Sequence, residues 1–433
     1  MSHHLALIVP TLDRLGGAER QVLLLAAGFK SRGWRVSVVT LSGNGVAAAR
    51  ELVAQGISFL SLEMRKGLAD PRGWARMHRW LRDEAPDVVH AHLPHAAWLA
   101  RWSRLGAPVP VLIDSIHTSD TGTWGRRMGY RLSRWLPNRV SAVGAGAAEA
   151  WQRAGMVPAD RLIVIPNGVD VERWHPDPSS RNDFRQRLGL KDEFLWLAAG
   201  RLHPVKDYPA LLRAMMETPG AAHLVIAGAG PEEGALRRLA IQSGLQSRVR
   251  FVGFQPDVLP WMQAADAFVL ASRWEGLPMT LLEAGACALP AVATDVPGSR
   301  EIVAHGETGY LAAPGDSHAL RTAMHLMMCL DAQARSVMGE QARRKICAQF
   351  SIESVLDRWE AIHCQLLESH PRARRWAALG MENLLSRLNG GGGGSAGAGD
   401  NASEHATGRY ARTSALSRPE AGQETLSAHD QTT

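Results

Sequence analysis

Two glutamates spaced by seven residues, Glu275 and Glu283, stand in the stretch SRWEGLPMTLLEAGACALP. Gly276, Leu277 and Pro278 are predicted to open a helix in which Thr280 and Glu283 lie one turn apart. One carboxylate then falls in the loop before the helix and the other about two turns along it. A carboxylate is well suited to accept hydrogen bonds from a pair of vicinal sugar hydroxyls, and free amides at Gly276 to Met279 would hold a phosphate at the positive helix end. An exposed helix cap is the plainer alternative. A second group is GRLHPVKDY, directly after the apolar run Leu195 to Ala199. Arg201 and Lys206 leave the carboxyl end of what reads as a parallel strand, where such sheets bind ligands, and two cations there suit a diphosphate. A solvated loop with incidental charge is the alternative. The third group, Gly16 and Gly17, lies between a first strand and a helix beginning at Ala18, where the backbone can approach an anion closely. A tight turn without a ligand explains it equally well. Neither GxGxxG nor GxxxxGK[ST] occurs, which lowers a dehydrogenase or P-loop reading.

The elements that must hold these groups alternate regularly. LALIV at 5 to 9, a glycine loop, a helix with Val22, Leu25, Ala26 and Phe29 at helical spacing, and the strand RVSVVT at 35 to 40 form a βαβ unit. The pattern continues through 87–90, 111–115 and 140–143. WHPDPSSRN at 174 to 182 is dense in Pro, Asp and Ser and reads as a linker. A second series follows at 195–199, 224–227, 249–252, 267–270 and 291–294, each strand trailed by a helical pattern. The chain is therefore read as α/β, with two parallel-sheet domains at 1–175 and 176–350, a terminal helix at 351–370 and a mostly disordered tail at 371–433. The part after 389 is rich in Gly, Ser, Thr and Ala.

Composition narrows the classes. With 433 residues, 45% hydrophobic and 21% charged, the bulk of the chain should fold. The net charge of +6 is too small over this length to define a nucleic-acid-binding protein. Four cysteines without a CxxC support neither a zinc site nor a disulfide framework. The N-terminus lacks a signal layout and no apolar run reaches membrane-spanning length, so a cytoplasmic protein is expected.

The strings GGAER, HAH at 90 to 92, IPNGVD at 165 to 170, GRLHPVK, AGAGPEEGALRRLA, RVRFVGFQPDVLPWMQAADAFVLASRWEGLP and EAGACALPAVATDVPGSREIV occur in the order typical of one family. Together they resemble the GT-B retaining glycosyltransferases of family 4, over roughly residues 5 to 368. That resemblance implies two Rossmann-like domains facing across a cleft, a nucleotide-sugar donor held mainly by the second, no metal and no cofactor. It implies further that the final helix crosses back onto the first domain. By the same resemblance Arg201 and Lys206 bind the donor diphosphate, Glu275 faces the transferred sugar, and Glu283 meets the ribose. Gly16 and Gly17 face the phosphates, the backbone at Val252 to Phe254 meets the base, and His117 stands near the sugar. His90 and His92 are read as structural. Gly144 departs from the family, which commonly has serine there.

The implied activity is transfer of a sugar from a nucleotide-sugar, UDP-sugar favoured over GDP-sugar, to a glycan or lipid-linked acceptor in bacterial surface polysaccharide synthesis. A nucleotide-sugar 2-epimerase of the same architecture and a non-catalytic nucleotide-sugar-binding protein are the alternatives. Finally, a helix over 126–136 would align Met128, Leu132 and Trp135 beside Arg127, Arg131 and Arg134. This is either a surface that lies on anionic membrane, at the inner face of the cell membrane, or a core-facing stripe with solvated arginines.

Overall fold

The computed structural model describes residues 2–13, 16–43, 45–65, 70–218 and 222–369; the tail expected to be disordered lies outside the described residues. Seven strands, β1 (His4–Val9), β2 (Arg35–Thr40), β3 (Ser58–Ser61), β4 (Val88–His92), β5 (Val111–Ile116), β6 (Arg139–Ala142) and β7 (Leu162–Val164), form one sheet in the order β3-β2-β1-β4-β5-β6-β7. Six more, β8 (Phe194–Ala199), β9 (Ala222–Ala227), β10 (Val249–Gly253), β11 (Ala267–Leu270), β12 (Ala291–Thr294) and β13 (Gly309–Ala312), form a second in the order β10-β9-β8-β11-β12-β13. All pairings are parallel. Helices cover both faces, which is why β1 and β4 are buried along their whole length.

Strand order reverses direction between β1 and β4 in the first sheet and between β8 and β11 in the second. At such a switch the two connections leave to opposite faces, and a crevice opens beyond the strand ends. The glycine pair follows β1, HAH ends β4, GRLHPVK follows β8, and the Glu275 loop follows β11. The candidate residues are thus gathered at the switch points of both sheets.

Three strands escaped the sequence reading: β3, β7 and β13 have three or four residues each and partly exposed patterns. The linker expected at 174–182 is shortened by a helix, Pro178–Leu188, whose N-cap Asp177 accepts from the amides of Ser179 and Ser180. Its Asp, Pro and Ser are helix-start signals as well as loop signals.

The final helix, Ile352–Ser369, packs on the first domain. Val355, Leu356, Trp359, Leu366 and Leu367 enter the same core as Leu5, Val22, Phe29 and Val38. Arg32 forms ion pairs with Glu353, Asp357 and Glu360 at 2.8, 2.7 and 2.9 Å. The outward and returning crossings touch: the amide of Val169 donates to the carbonyl of Phe350 and that of Ile352 to Val169, each at 2.8 Å. A Cβ on Gly168 would lie 2.9 Å from the Cα of Ile352, so IPNGVD owes its glycine to this close approach. No helix of the described residues is long and apolar enough to cross a membrane.

Candidate active site

The loop after β8 is braced before it meets any ligand. His203 caps the short 3-10 turn Pro204–Lys206 by accepting from the Val205 amide. Asp207 takes a left-handed conformation, φ 47°, and accepts from Arg273 Nε at 2.9 Å. The Arg273 amide donates to the Val205 carbonyl, tying this loop to the one after β11. These ties bring Lys206 Nζ to 2.6 Å from Glu275 Oε1, which also accepts from Ser272 Oγ at 2.5 Å. Ser272 in turn is fixed through its carbonyl, which accepts from Thr294 Oγ1 at 2.5 Å. Arg201 is exposed and makes no ion pair among the described residues. One cation of the expected pair is therefore locked to Glu275 and the other stands free.

The helix of the second glutamate runs from Met279 to Ala286, with Pro278 as its N-cap. Pro278 has no N–H, so the expected row of donors from 276 to 279 becomes the amides of Gly276, Leu277, Met279 and Thr280. The Leu277 side chain turns into the second core and offers only its backbone. Gly276 is needed for a close approach: a Cβ there would lie 2.5 Å from the carbonyl oxygen of His117. Glu283 is 2% exposed. Its Oε1 accepts from Arg20 NH1 of the first domain at 3.2 Å, while its Oε2 has no partner among the described residues. Burial pushes its carboxyl up to about 7, against the opposing pull of Arg20.

From the first domain, Gly17 opens the helix Gly17–Ser31, and a Cβ on it would lie 3.1 Å from Met279 Cγ. Gly16 donates its amide to Glu19 Oε2 at 3.1 Å, closing the helix start. His117 follows β5 and lies against the Gly276 loop; its ring nitrogen Nε2 is 3.1 Å from His92 Nδ1. Burial pulls the His117 imidazole down to about 4, so it is neutral at physiological pH.

The nucleobase stretch departs in detail from expectation. The Val252 carbonyl already accepts from Gln255 Nε2 at 2.7 Å, and the Gly253 carbonyl accepts from the Gly228 amide. The free feature here is the Phe254 ring, 68% exposed. Gly144 also has an explanation. It is the N-cap of the helix Ala145–Arg153, and a Cβ on it would lie 2.5 Å from Glu301 Oε1 of the second domain. Burial raises the Glu301 carboxyl, and the nearby amides of Ala145 and Gly146 oppose that rise. The chain's own anion faces this helix end, and a serine side chain here would require the Glu301 carboxylate to move aside.

Arg20, Ser272, Asp207, Arg273 and Glu301 were missed by the sequence reading. Arg20 lies within the quoted string GGAER, three residues beyond Gly17, and that was the available signal. Among the described residues no group of three or more His, Cys, Asp or Glu is arranged to hold a metal ion.

The basic helix runs from Trp124 to Ser133 rather than 126–136. Its buried face is Gly129, Tyr130 and Ser133, gripped by the buried Arg101, which donates to Ser133 Oγ at 3.0 Å and pairs with Asp114 at 2.5 Å. Of the expected stripe, Leu132 and Trp135 face outward, 62% and 57% exposed, with Trp124 at 73% beside them, while Met128 is half-buried. This overturns the core-facing alternative.

Compared with known proteins, residues 180–345 match the family described as glycosyl transferases group 1, and residues 15–173 match glycosyltransferase family 4. The chain is 30% identical over 327 residues to the phosphatidyl-myo-inositol mannosyltransferase of Mycobacterium leprae, covering 72% of this chain and 84% of that one. It is 25% identical over 316 residues to the UDP-Gal:alpha-D-GlcNAc-diphosphoundecaprenol alpha-1,3-galactosyltransferase of Escherichia coli, covering 69% and 81%. In fold it is similar to HepE of Anabaena in complex with UDP, with a TM-score of 0.74 at 22% identity, covering 84% of this chain and all of that one.

Proposed function

Because the chain belongs to the group 1 glycosyltransferases, with the GT-B architecture of two facing parallel-sheet domains, we propose that it transfers a hexosyl unit from a UDP-sugar to a lipid-linked glycan. The reading places this step in bacterial surface polysaccharide synthesis, with anomeric configuration retained. The observation that carries it is the pairing of Lys206 with Glu275 at 2.6 Å together with a buried Glu283 that keeps one oxygen without a partner among the described residues. The complex of HepE with UDP supports the donor, and the galactosyltransferase named for a diphosphoundecaprenol substrate supports the acceptor.

In this reading Glu283 accepts from the ribose hydroxyls, while Arg201, Lys206 and the amides around Met279 receive the diphosphate with Gly16 and Gly17 opposite. Phe254 offers an exposed ring face to the base. Glu275 and His117 border the transferred sugar. The bond from the sugar's anomeric carbon to phosphate breaks, and the bond to the acceptor oxygen forms on the same face. The acceptor proton passes to the leaving phosphate, whose growing charge the two cations offset. Glu275 Oε1 already accepts two hydrogen bonds, from Lys206 and Ser272, which tie up the oxygen a nucleophile would use and favour this course over a covalent glycosyl-enzyme.

The test is release of UDP from UDP-glucose or UDP-galactose by the full chain with a GlcNAc-diphospholipid acceptor, beside a thermal-shift comparison with GDP- and ADP-sugars. A shift with the UDP-sugars and acceptor-dependent release are expected. Stabilisation by none of these nucleotides would overturn the reading. EDTA in the same assay should leave the rate intact, because Lys206, Arg201 and the helix-end amides serve the leaving group; activity abolished by EDTA and restored by manganese would refute metal-free transfer.

The outward Trp124, Leu132 and Trp135, flanked by exposed arginines, give the enzyme a surface for the anionic inner face of the cell membrane, where such an acceptor resides. Arg131 also donates to the Ala154 carbonyl at 2.9 and 2.7 Å, so the cleaner probe is Arg127→Gln with Arg134→Gln. Each removes about 1 kcal/mol of attraction to a charged bilayer, so the double variant should bind anionic vesicles roughly tenfold or more weakly and neutral ones unchanged. Equal sedimentation of both proteins with anionic vesicles would count against the contact.

A further inference from the structure

The two domains touch at several points along the cleft. A Cβ on Gly17 would lie 3.1 Å from Met279 Cγ, one on Gly276 2.5 Å from the His117 carbonyl oxygen, and one on Gly146 2.1 Å from Pro297 Cβ. About one turn beyond Gly17 and Met279 on the two apposed helices, Arg20 NH1 meets Glu283 Oε1 at 3.2 Å, the side chains being 32% and 3% exposed. We propose that this pair is a latch: Arg20 offsets the charge of Glu283 as the domains close over it, and a nucleotide reaches that carboxylate only when the pair parts.

A carboxylate taken out of water by closure is costly, and a cation at hydrogen-bond distance offsets part of that cost. The other charged and titratable groups near Glu283 do little of this. Arg173 is itself paired with Asp257 at 3.3 Å, so the two act on Glu283 in opposite directions. The Cys287 thiol, one turn along the same helix, is pushed by burial up to about 12 and stays neutral. Arg20 is the main offset. It is also well anchored, because the next residue, Gln21, accepts through Oε1 from the Gly168 amide of the outward crossing at 2.9 Å. The same helix packs Gly28 against Leu356 and pairs Arg32 with Glu360 of the returning one. Arg20 therefore stays with the crossings, and opening carries Glu283 away from it.

The latch has a pH signature whose sign follows from burial. In the closed molecule the Glu283 carboxyl titrates near 7, whereas in water it titrates near 4.5. Above 7, closure must bury a charge or take up a proton; near 4.5 and below, the carboxyl is already protonated and closure does neither. Arg20 is therefore needed at pH 8 and barely at pH 5. The closure argument stands on the contacts alone, and only its consequence for nucleotide entry rests on the proposed transferase reading, in which the ribose meets Glu283.

The experiment is small-angle X-ray scattering of the full chain at pH 8 and pH 5 without added nucleotide, joined to stopped-flow mixing with UDP. Arg20→Gln should be more expanded than the parent at pH 8 and match it at pH 5. Arg20→Gln combined with Glu283→Gln has no charge to bury and should be as compact as the parent at both. Equal scattering of the parent and Arg20→Gln at pH 8 overturns the latch. Expansion that persists at pH 5 or in the double variant also overturns it, because Arg20 would then hold the domains by packing instead of charge. Arg20→Ala repeats the comparison should the glutamine variant fail to fold. At pH 8 UDP should associate with Arg20→Gln roughly tenfold or more faster than with the parent, as when an open form held at about a tenth or less of the molecules becomes the main one. Expansion without faster association would leave the latch standing and overturn the assignment of the ribose to Glu283, an outcome distinct from failure of the latch.

Discussion

Lys206→Ala is expected to lower kcat by about two to three orders of magnitude while raising the donor KM much less. The ammonium is held 2.6 Å from Glu275 by a loop braced through His203, Asp207 and Arg273. Its charge is therefore in place before phosphate begins to leave, and it works hardest when leaving-group charge is greatest. Removing one preorganised group of this kind costs about 10²–10³ in turnover. Loss of Lys206 also strips Glu275 of its counter-ion and leaves a carboxylate beside a diphosphate. Lys206→Ala combined with Glu275→Gln should consequently bind UDP better than Lys206→Ala alone. Steady-state kinetics with calorimetric UDP binding checks both. A kcat within threefold of the parent would remove Lys206 from the chemistry.

Glu283→Gln should weaken UDP binding and strengthen the fold. The ribose hydroxyls lose a charged acceptor in a buried place, at roughly 1–3 kcal/mol. Stability moves the other way. In the folded protein the carboxyl titrates near 7 instead of 4.5, so between those values the folded state holds a proton that the unfolded chain releases. Stability from this group is greatest below about pH 4.5, declines as pH rises through 7 and is flat above that. A shift of this size is worth up to about 3 kcal/mol. The neutral amide escapes the penalty, so the Tm gain should be clear at pH 8 and absent at pH 4.5. UDP affinity of the parent should rise with pH across 7 and that of the variant should not. A variant with unchanged affinity at pH 8 would take the ribose away from Glu283.

The long buried strands and both switch-point loops were legible because continuous apolar runs and glycine or proline punctuation are local signals. The strands β3, β7 and β13 were not, being too short and too exposed to show a period. Contacts between the domains were the least legible. Arg20 meets Glu283 across 263 residues of sequence, and Glu301 faces a helix end in the other domain; neither has a local signature. The basic helix shows another limit. Its periodicity revealed an apolar stripe, but its inward face is the less apolar set Gly129, Tyr130 and Ser133, chosen by the buried Arg101 beneath it.

The return of Ile352–Ser369 to the first domain has a consequence for how the chain is made. Synthesis delivers the first sheet early, but Val355, Leu356, Trp359, Leu366 and Leu367 complete its core from the far end of the described sequence. On the ribosome the helix Gly17–Ser31 must wait with a bare apolar face while the entire second sheet is translated. A domain that begins folding first therefore finishes last, and a chain halted after Phe350 would leave that face open to chaperones and to its own kind.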